Sequence, residues 1–463
     1  MMSAKKYFLL FLGIFLAIHS AMGQSQKFNH DYSQTLVMKL ALSIPDGEGG
    51  SKVFCNFETA LDLIKKADQL SLQVPKVIYL VGWQYNGHDD KYPAFFKVNK
   101  MLKRAGDATA EESLSWLIKE AKKYHTTVSL HINMTDAYDD SPLWNSYLKD
   151  GLISKQRGGE LMVIGNYNNK KAYQINYKKE WESGWTQKRI DSLLTIVPEL
   201  KNTGTIHIDA WIARESKGHH ESLVTESEYQ KKALAYWRKK GLDVTSEWVM
   251  DYMTGSVPYA WHFNARTQAD YLNVPAKVYT GSGINPDIKT SDFGLGFLFG
   301  TSMYGENLWP IAIANTGYDH QWDQKFAKEF YLNCLQYFFL NRLERKSITG
   351  MENERTAFFS KGVTTSLKDS TVRQNNIPLR EGNTVLFPVD WKEEPTLAAY
   401  SAVGTKSKSF TLFGAWKYFR ELDIYQVGMT GLERSGKVKV MDGKIPLTLK
   451  AGQPYVLKPR SPK

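Results

Sequence analysis

Two β-rich runs, Thr205 to Trp211 (TIHIDAW) and Leu242 to Trp248 (LDVTSEW), each end on a carboxylate with a tryptophan close behind, and a helix-length segment separates them. Strands buried on both faces read as nearly continuous apolar runs, and a crossover helix between two of them makes a parallel pair. The alternation begins at Val77 to Trp83 (VIYLVGW). A helix around Thr109 to Tyr124 follows, with Leu114, Leu117, Ile118 and Ala121 at helical spacing, and leads to the strand Thr127 to Asn133 (TVSLHIN). Ala172 to Tyr177 reads as a further strand, with a helix after it from about Glu182 to Ile196. The helix between the two carboxylate-bearing runs reads as opening on a capping box, Thr225 with Glu228, and stopping at Gly241. Further units near Ala276 to Thr280 and Leu295 to Tyr304, then a long helix from about Gln324 to Arg345, complete the pattern. The fold class expected is α/β: a (β/α)8 TIM-type barrel over residues 74–348.

Past that point short alternating runs and turn pairs such as Asp442-Gly443 predict a small C-terminal antiparallel β-sandwich over residues 349–463. Residues 24–73 are expected to form an N-terminal cap segment. Residues 1–23 have the layout of a signal peptide: Lys5 and Lys6, an apolar stretch from Tyr7 to Ile18, and the small-x-small site Ala21-Met22-Gly23. The expected location is therefore exported, periplasmic or secreted, with no membrane span, since the apolar stretch is too short for one. A formal charge of +11 admits acidic partners, but the lysines are scattered in pairs such as Lys65-Lys66 and read as a solvated surface rather than a nucleic-acid reader. Cys55 and Cys334 lack metal-ligand spacing; a disulfide and two isolated thiols both fit. No Gly-rich phosphate loop or nucleophile elbow occurs, and no cofactor or metal is expected.

A βα barrel builds its site where strands end, so polar residues at those ends carry the chemistry. Trp83 leads into Gln84, Gly87, His88 and Asp89. The second strand ends in His131 and Asn133, before Asp136 and Tyr138. Asp209 with Trp211 and Glu247 with Trp248 close the other two. Adjacent strands lie about 4.8 Å apart, so two carboxyls at one level sit some 5–6 Å apart. That spacing suits a retaining glycosidase, whereas an inverting one needs about 6.5–9.5 Å to admit water. Trp248 beside Glu247 favours the protonated acid, while Asp209, with polar His207 on its face, stays ionised as a nucleophile. The bland alternative for either carboxylate is a rim ion pair, and for His131 and Asn133 a bond to their own loop backbone.

The run Val81-Gly82-Trp83-Gln84, Gly87-His88-Asp89, Tyr92-Pro93, then Leu130-His131-Ile132-Asn133 and Ala137-Tyr138, resembles glycoside hydrolase family 101, the endo-α-N-acetylgalactosaminidases. The likeness continues through Ile208-Asp209-Ala210-Trp211 and Ser246-Glu247-Trp248. It implies a hydrolase releasing galactose-β-1,3-N-acetylgalactosamine from Ser or Thr of mucin-type glycoproteins. Asp209 would be the nucleophile and Glu247 the acid/base. Asp89 and His131 would hold sugar hydroxyls, with His88 and Asn133 nearby and Trp83, Trp211 and Trp248 lining the cleft. The chain departs from the family in lacking several flanking β-domains and in the segment Ala213 to Thr225, expected to form a lid-like loop. Two rivals stand beside this reading: a metal-dependent barrel hydrolase using His131, His207 and Asp209 with His219-His220, and a glycan-binding protein without catalysis.

Overall fold

The computed structural model describes residues 27–261, 268–281, 294–302 and 322–460. The export segment, residues 1–23, lies outside them. Its centre is a seven-stranded parallel sheet in chain order: β1 (Leu36–Ala41), β2 (Lys76–Val81), β3 (Thr126–Asn133), β4 (Thr205–Asp209), β5 (Asp243–Ser246), β6 (Tyr259–Ala260) and β7 (Thr280–Gly281). Every pairing is parallel. Alternate side chains point to opposite faces, and both faces of β2 and β3 are covered, which accounts for their unbroken apolar runs.

The sheet curls. Tyr32, Val37, Val77, Tyr79, Tyr259 and Trp261 form a separate inner cluster that brings the first strand against the residues of the sixth. The outer face carries the helices α1 (Phe57–Leu70), α2 (Ala110–Ala121), α3 (Trp185–Ile196) and α4 (Leu223–Lys239), packed into the larger core. Asn56, Thr109 and Ser222 cap α1, α2 and α4, while Gly184 before α3 offers no side-chain cap. Thr109 and Glu112 form a capping box on α2. Ser222, not Thr225, caps α4, so that helix begins three residues earlier than expected. Among the described residues no helix is long and apolar enough to cross a membrane.

Four expectations need correction. Residues 24–73 are not a cap: they contribute β1 and α1, so the first βα unit precedes Val77. The strand β1 is short, and its run LVMKLA carries a lysine that hides the apolar pattern. The run expected as a strand over Ala172 to Tyr177 lies outside the parallel sheet. Lys170–Gln174 instead pairs antiparallel with Val163–Tyr167 and with Asp136–Ala137, a hairpin laid beside the strand ends. Leu295–Phe299 is a short helix, and Tyr304 lies outside the described residues. Seven parallel strands are present among the described residues, so the architecture there is a curled, barrel-like sheet rather than a closed eight-fold barrel.

The C-terminal part is antiparallel as expected, but most of it is one continuous ten-stranded ladder, with Thr405–Thr411 and Lys444–Leu449 as a separate pair. It shares the large core with the parallel sheet. Arg380 donates to the Leu332 carbonyl at 2.6 Å, and Trp391 Nε1 to that of Leu72 at 2.9 Å. Cys55 and Cys334 are both buried and free.

Candidate active site

The top of the curled sheet gathers the strand-end residues. Two glycines shape the loop after β2. Gly82 has φ +74°, and a Cβ there would lie 2.0 Å from the Ser43 carbonyl; at Gly87, φ +132°, it would meet Ile44 Cα at 2.6 Å. With no side chain in the way, the loop folds against Ser43 and Ile44 and presents His88 and Asp89, whose His88 Nε2 lies 3.4 Å from Asp89 Oδ2. The His88 ring packs edge-on to His131 at 5.2 Å between centroids.

His131 and Asp209 stand on adjacent strands, and His131 Nε2 is 3.4 Å from Asp209 Oδ2. Glu247 follows β5, the next strand, beside Asp209. From β1 comes a group the sequence reading missed: Lys39, 1% exposed, places Nζ 2.5 Å from Glu247 Oε1 and 5.0 Å from the centre of the Trp261 ring. A single lysine inside the run Leu36–Ala41 was the available signal.

The two carboxyls are driven apart electrostatically. Burial pushes the Glu247 carboxyl up, the neighbouring Asp209 adds to this and Lys39 opposes both, leaving it at about 7. Burial acts on Asp209 in the same direction, but His131, Lys39 and His88 outweigh it and hold that carboxyl well below the ordinary range. Burial lowers the His131 imidazole despite the opposing pull of Asp209. Two neighbouring carboxyls shifted in opposite directions offer a proton donor beside an anion.

The glycoside hydrolase family 101 model, endo-alpha-N-acetylgalactosaminidase, matches residues 17–278, more than half of the chain. The chain belongs to this family. A protein of Renibacterium salmoninarum named "Putative endo-alpha-N-acetylgalactosaminidase" is 23% identical over 399 residues, covering 81% of this chain; the chain spans 23% of that relative's length. Among solved structures, the ligand-free alpha-N-acetylgalactosaminidase NagBb of Bifidobacterium bifidum superposes with a TM-score of 0.54 at 13% identity, covering 74% of this chain and 58% of its own. Its complex with GalNAc gives 0.52 at 12% identity, covering 73% and 57%. These two likenesses are of fold.

In this family 101 chain the remaining expected residues divide. Trp83 is fully buried and donates Nε1 to the His131 carbonyl at 2.9 Å, while Trp211 is 1% exposed within the core. Both lie in the core with almost no exposed surface, where a cleft-lining position was expected. Trp248 is half-buried next to Glu247. Asn133 Oδ1 accepts from the backbone N–H of Thr135 (2.7 Å) and Asp136 (2.9 Å), the loop-closing role that was the alternative for it. Asp136 enters the site instead: burial, then Asp89 and Asp209, push its carboxyl up to about 8.

The hairpin Val163–Gln174 was also missed as a site element. Asn168 Nδ2 donates to the carbonyls of His88 (3.0 Å) and Asp89 (3.3 Å), and Lys170 bonds Asp90 at 2.7 Å and Asp140 at 2.6 Å. The hairpin thus clamps the His88–Asp89 loop. Among the described residues, ligand atoms of His88, His131 and Asp209 lie within 4.8 Å of one another, a set able to hold a metal ion. His207 is deeper, against Thr245 Oγ1 at 2.9 Å, and His219 bonds Ser216, so neither completes the metal set imagined from sequence.

Proposed function

We propose that this chain is a retaining glycoside hydrolase, exported from the cell, that releases α-linked N-acetylgalactosamine glycans, with the core-1 disaccharide as preferred product, from Ser or Thr of mucin-type glycoproteins. The observation that carries the reading is the placement of Asp209 and Glu247 at the ends of two adjacent parallel strands, with their proton affinities pushed in opposite directions. Family membership and the name borne by the Renibacterium relative support the substrate class. Asp209 attacks the anomeric carbon while Glu247 protonates the departing Ser or Thr oxygen. Water then attacks the glycosyl-enzyme with Glu247 as base. Close carboxyls favour this double displacement over the wider gap an inverting reaction needs. His131 and Asp89 would hold sugar hydroxyls through hydrogen bonds that strengthen as positive charge develops.

A defined mucin-type glycopeptide tests the reading: released disaccharide with α-configuration at first appearance supports it, and a β-anomer or absence of any sugar product refutes it. The proximity of His88, His131 and Asp209 favours one second reading, a metal-dependent hydrolase. Full activity after exhaustive chelation eliminates it.

A further inference from the structure

The acid/base must serve twice, and the group that readies it for its second task comes from the far end of the sheet. Lys39 lies on β1, 208 residues from Glu247 in sequence, with its ammonium 2.5 Å from Oε1. It is 1% exposed, and the Trp261 ring, 5.0 Å from Nζ, covers it. Strand β1 is paired with β2 through six consecutive residue pairs, so the stem of Lys39 starts from a fixed point. Among the described residues the charged or titratable groups facing Glu247 are Asp209 from β4 and Lys39 from β1, with His131 from β3 and His88 from the loop after β2 behind Asp209.

We propose that Lys39 is a positioning residue for the second half-reaction, holding the Glu247 carboxylate ionised and aimed at the attacking water. The inference rests on the retaining reading above. In the first half-reaction an Asp209 oxygen bonds to the anomeric carbon, and the bond to the Ser or Thr oxygen breaks. The leaving oxygen keeps the electron pair and takes the proton of Glu247. Asp209 is now an uncharged ester, so the anion that opposed ionisation of Glu247 has gone while the cation remains. In the second half-reaction the water oxygen bonds to the anomeric carbon, and its proton passes to Glu247. The ester bond to Asp209 breaks, and the electron pair returns to that carboxylate. Lys39 therefore favours the base form most when Asp209 is glycosylated, when a base is required.

The test compares wild type, Lys39→Met, Lys39→Gln and Lys39→Arg on an aryl α-N-acetylgalactosaminide. Loss of the positive charge is expected to move the alkaline limb of kcat/KM upward by about one to three pH units. It should also slow deglycosylation more than glycosylation, so that a burst of aryl alcohol appears or grows. Lys39→Arg should restore much of the wild-type profile. In a Glu247→Gln background, which should already lack the limb, adding Lys39→Met should change neither the flat profile nor the burst, because the group it acts through is gone. An unmoved limb and burst in folded Lys39→Gln, or an equal effect in the Glu247→Gln background, overturns the role. Should Lys39→Met fail to fold, Lys39→Gln and Lys39→Arg decide the question. The wild-type product anomer separates the two layers: a β-product refutes the retaining reading itself, while an α-product with unresponsive Lys39 variants refutes only this inference.

Discussion

His131 Nε2 meets Asp209 Oδ2 at 3.4 Å across two adjacent parallel strands. Burial keeps this imidazole below its ordinary pKa. His131→Ala is therefore expected to lower kcat on an aryl glycoside by about 10²–10³-fold, the usual loss for one preorganised donor. Because burial lowers this imidazole, the loss should persist at alkaline pH. A loss that disappears at the alkaline end would show that a charged imidazole is required instead.

Substituting the two carboxyls separates their roles. Asp209→Asn removes the attacking group and should abolish turnover for every leaving group. Glu247→Gln removes proton donation, which an alkoxide needs and an activated nitrophenolate scarcely needs. It should be severely slowed on glycopeptide and far less in the first step on an aryl glycoside. Azide should partly rescue it, yielding an α-configured glycosyl azide. A β-configured azide from this variant would reverse the assignment.

Glu247 sets an alkaline limit on activity. As the proposed acid it must be protonated in free enzyme, and its carboxyl stands at about 7, so kcat/KM on glycopeptide should fall above neutral pH with a limb near that value. In Glu247→Gln the limb should vanish. Persistence of the same limb in that variant would assign it to another group.

Asp136 makes stability depend on pH in the opposite sense to an ordinary paired carboxylate. Its folded-state value, about 8, lies above its unfolded one, so its contribution is full below about pH 4 and is lost as pH rises through about 8. Asp136→Asn keeps the shape without the charge. It should raise Tm at pH 8–9, by stabilisation on the order of a few kcal/mol, and change it little near pH 4. Thermal melts at the two pH values check this; equal shifts at both would discount the titration.

The hairpin clamp predicts coupling between stability and substrate affinity. Lys170 is about a quarter exposed, whereas its partner Asp90 is 1% exposed. Lys170→Met should cost roughly 1–3 kcal/mol, discounted from a fully buried pair because Lys170 is partly solvated and Lys91 remains near Asp90. Loosening the His88–Asp89 loop should raise KM more than it lowers kcat. Calorimetry and steady-state kinetics on the same variant decide it; a KM equal to wild type would detach the clamp from the site.

What the sequence determined by itself was local. Apolar runs at β2, β3, β4 and β5 showed buried parallel strands, and their polar terminal residues, His131, Asp209 and Glu247, were legible because a strand end fixes which way its last side chains face. The tertiary structure decided what meets them. Lys39 reaches Glu247 from 208 residues away, and nothing in a window around either residue encodes that distance. Trp83 and Trp211 looked like cleft walls because a tryptophan reads the same whether its ring faces a sugar or the core; the fold buries both in the core. The run Ala172 to Tyr177 reads as a sheet strand, yet a turn at Asn168 and Asn169 pairs Lys170–Gln174 with Val163–Tyr167, placing it beside the strand ends rather than in the sheet. Periodicity reports which face of an element is buried, and only the three-dimensional arrangement reports against what it is buried.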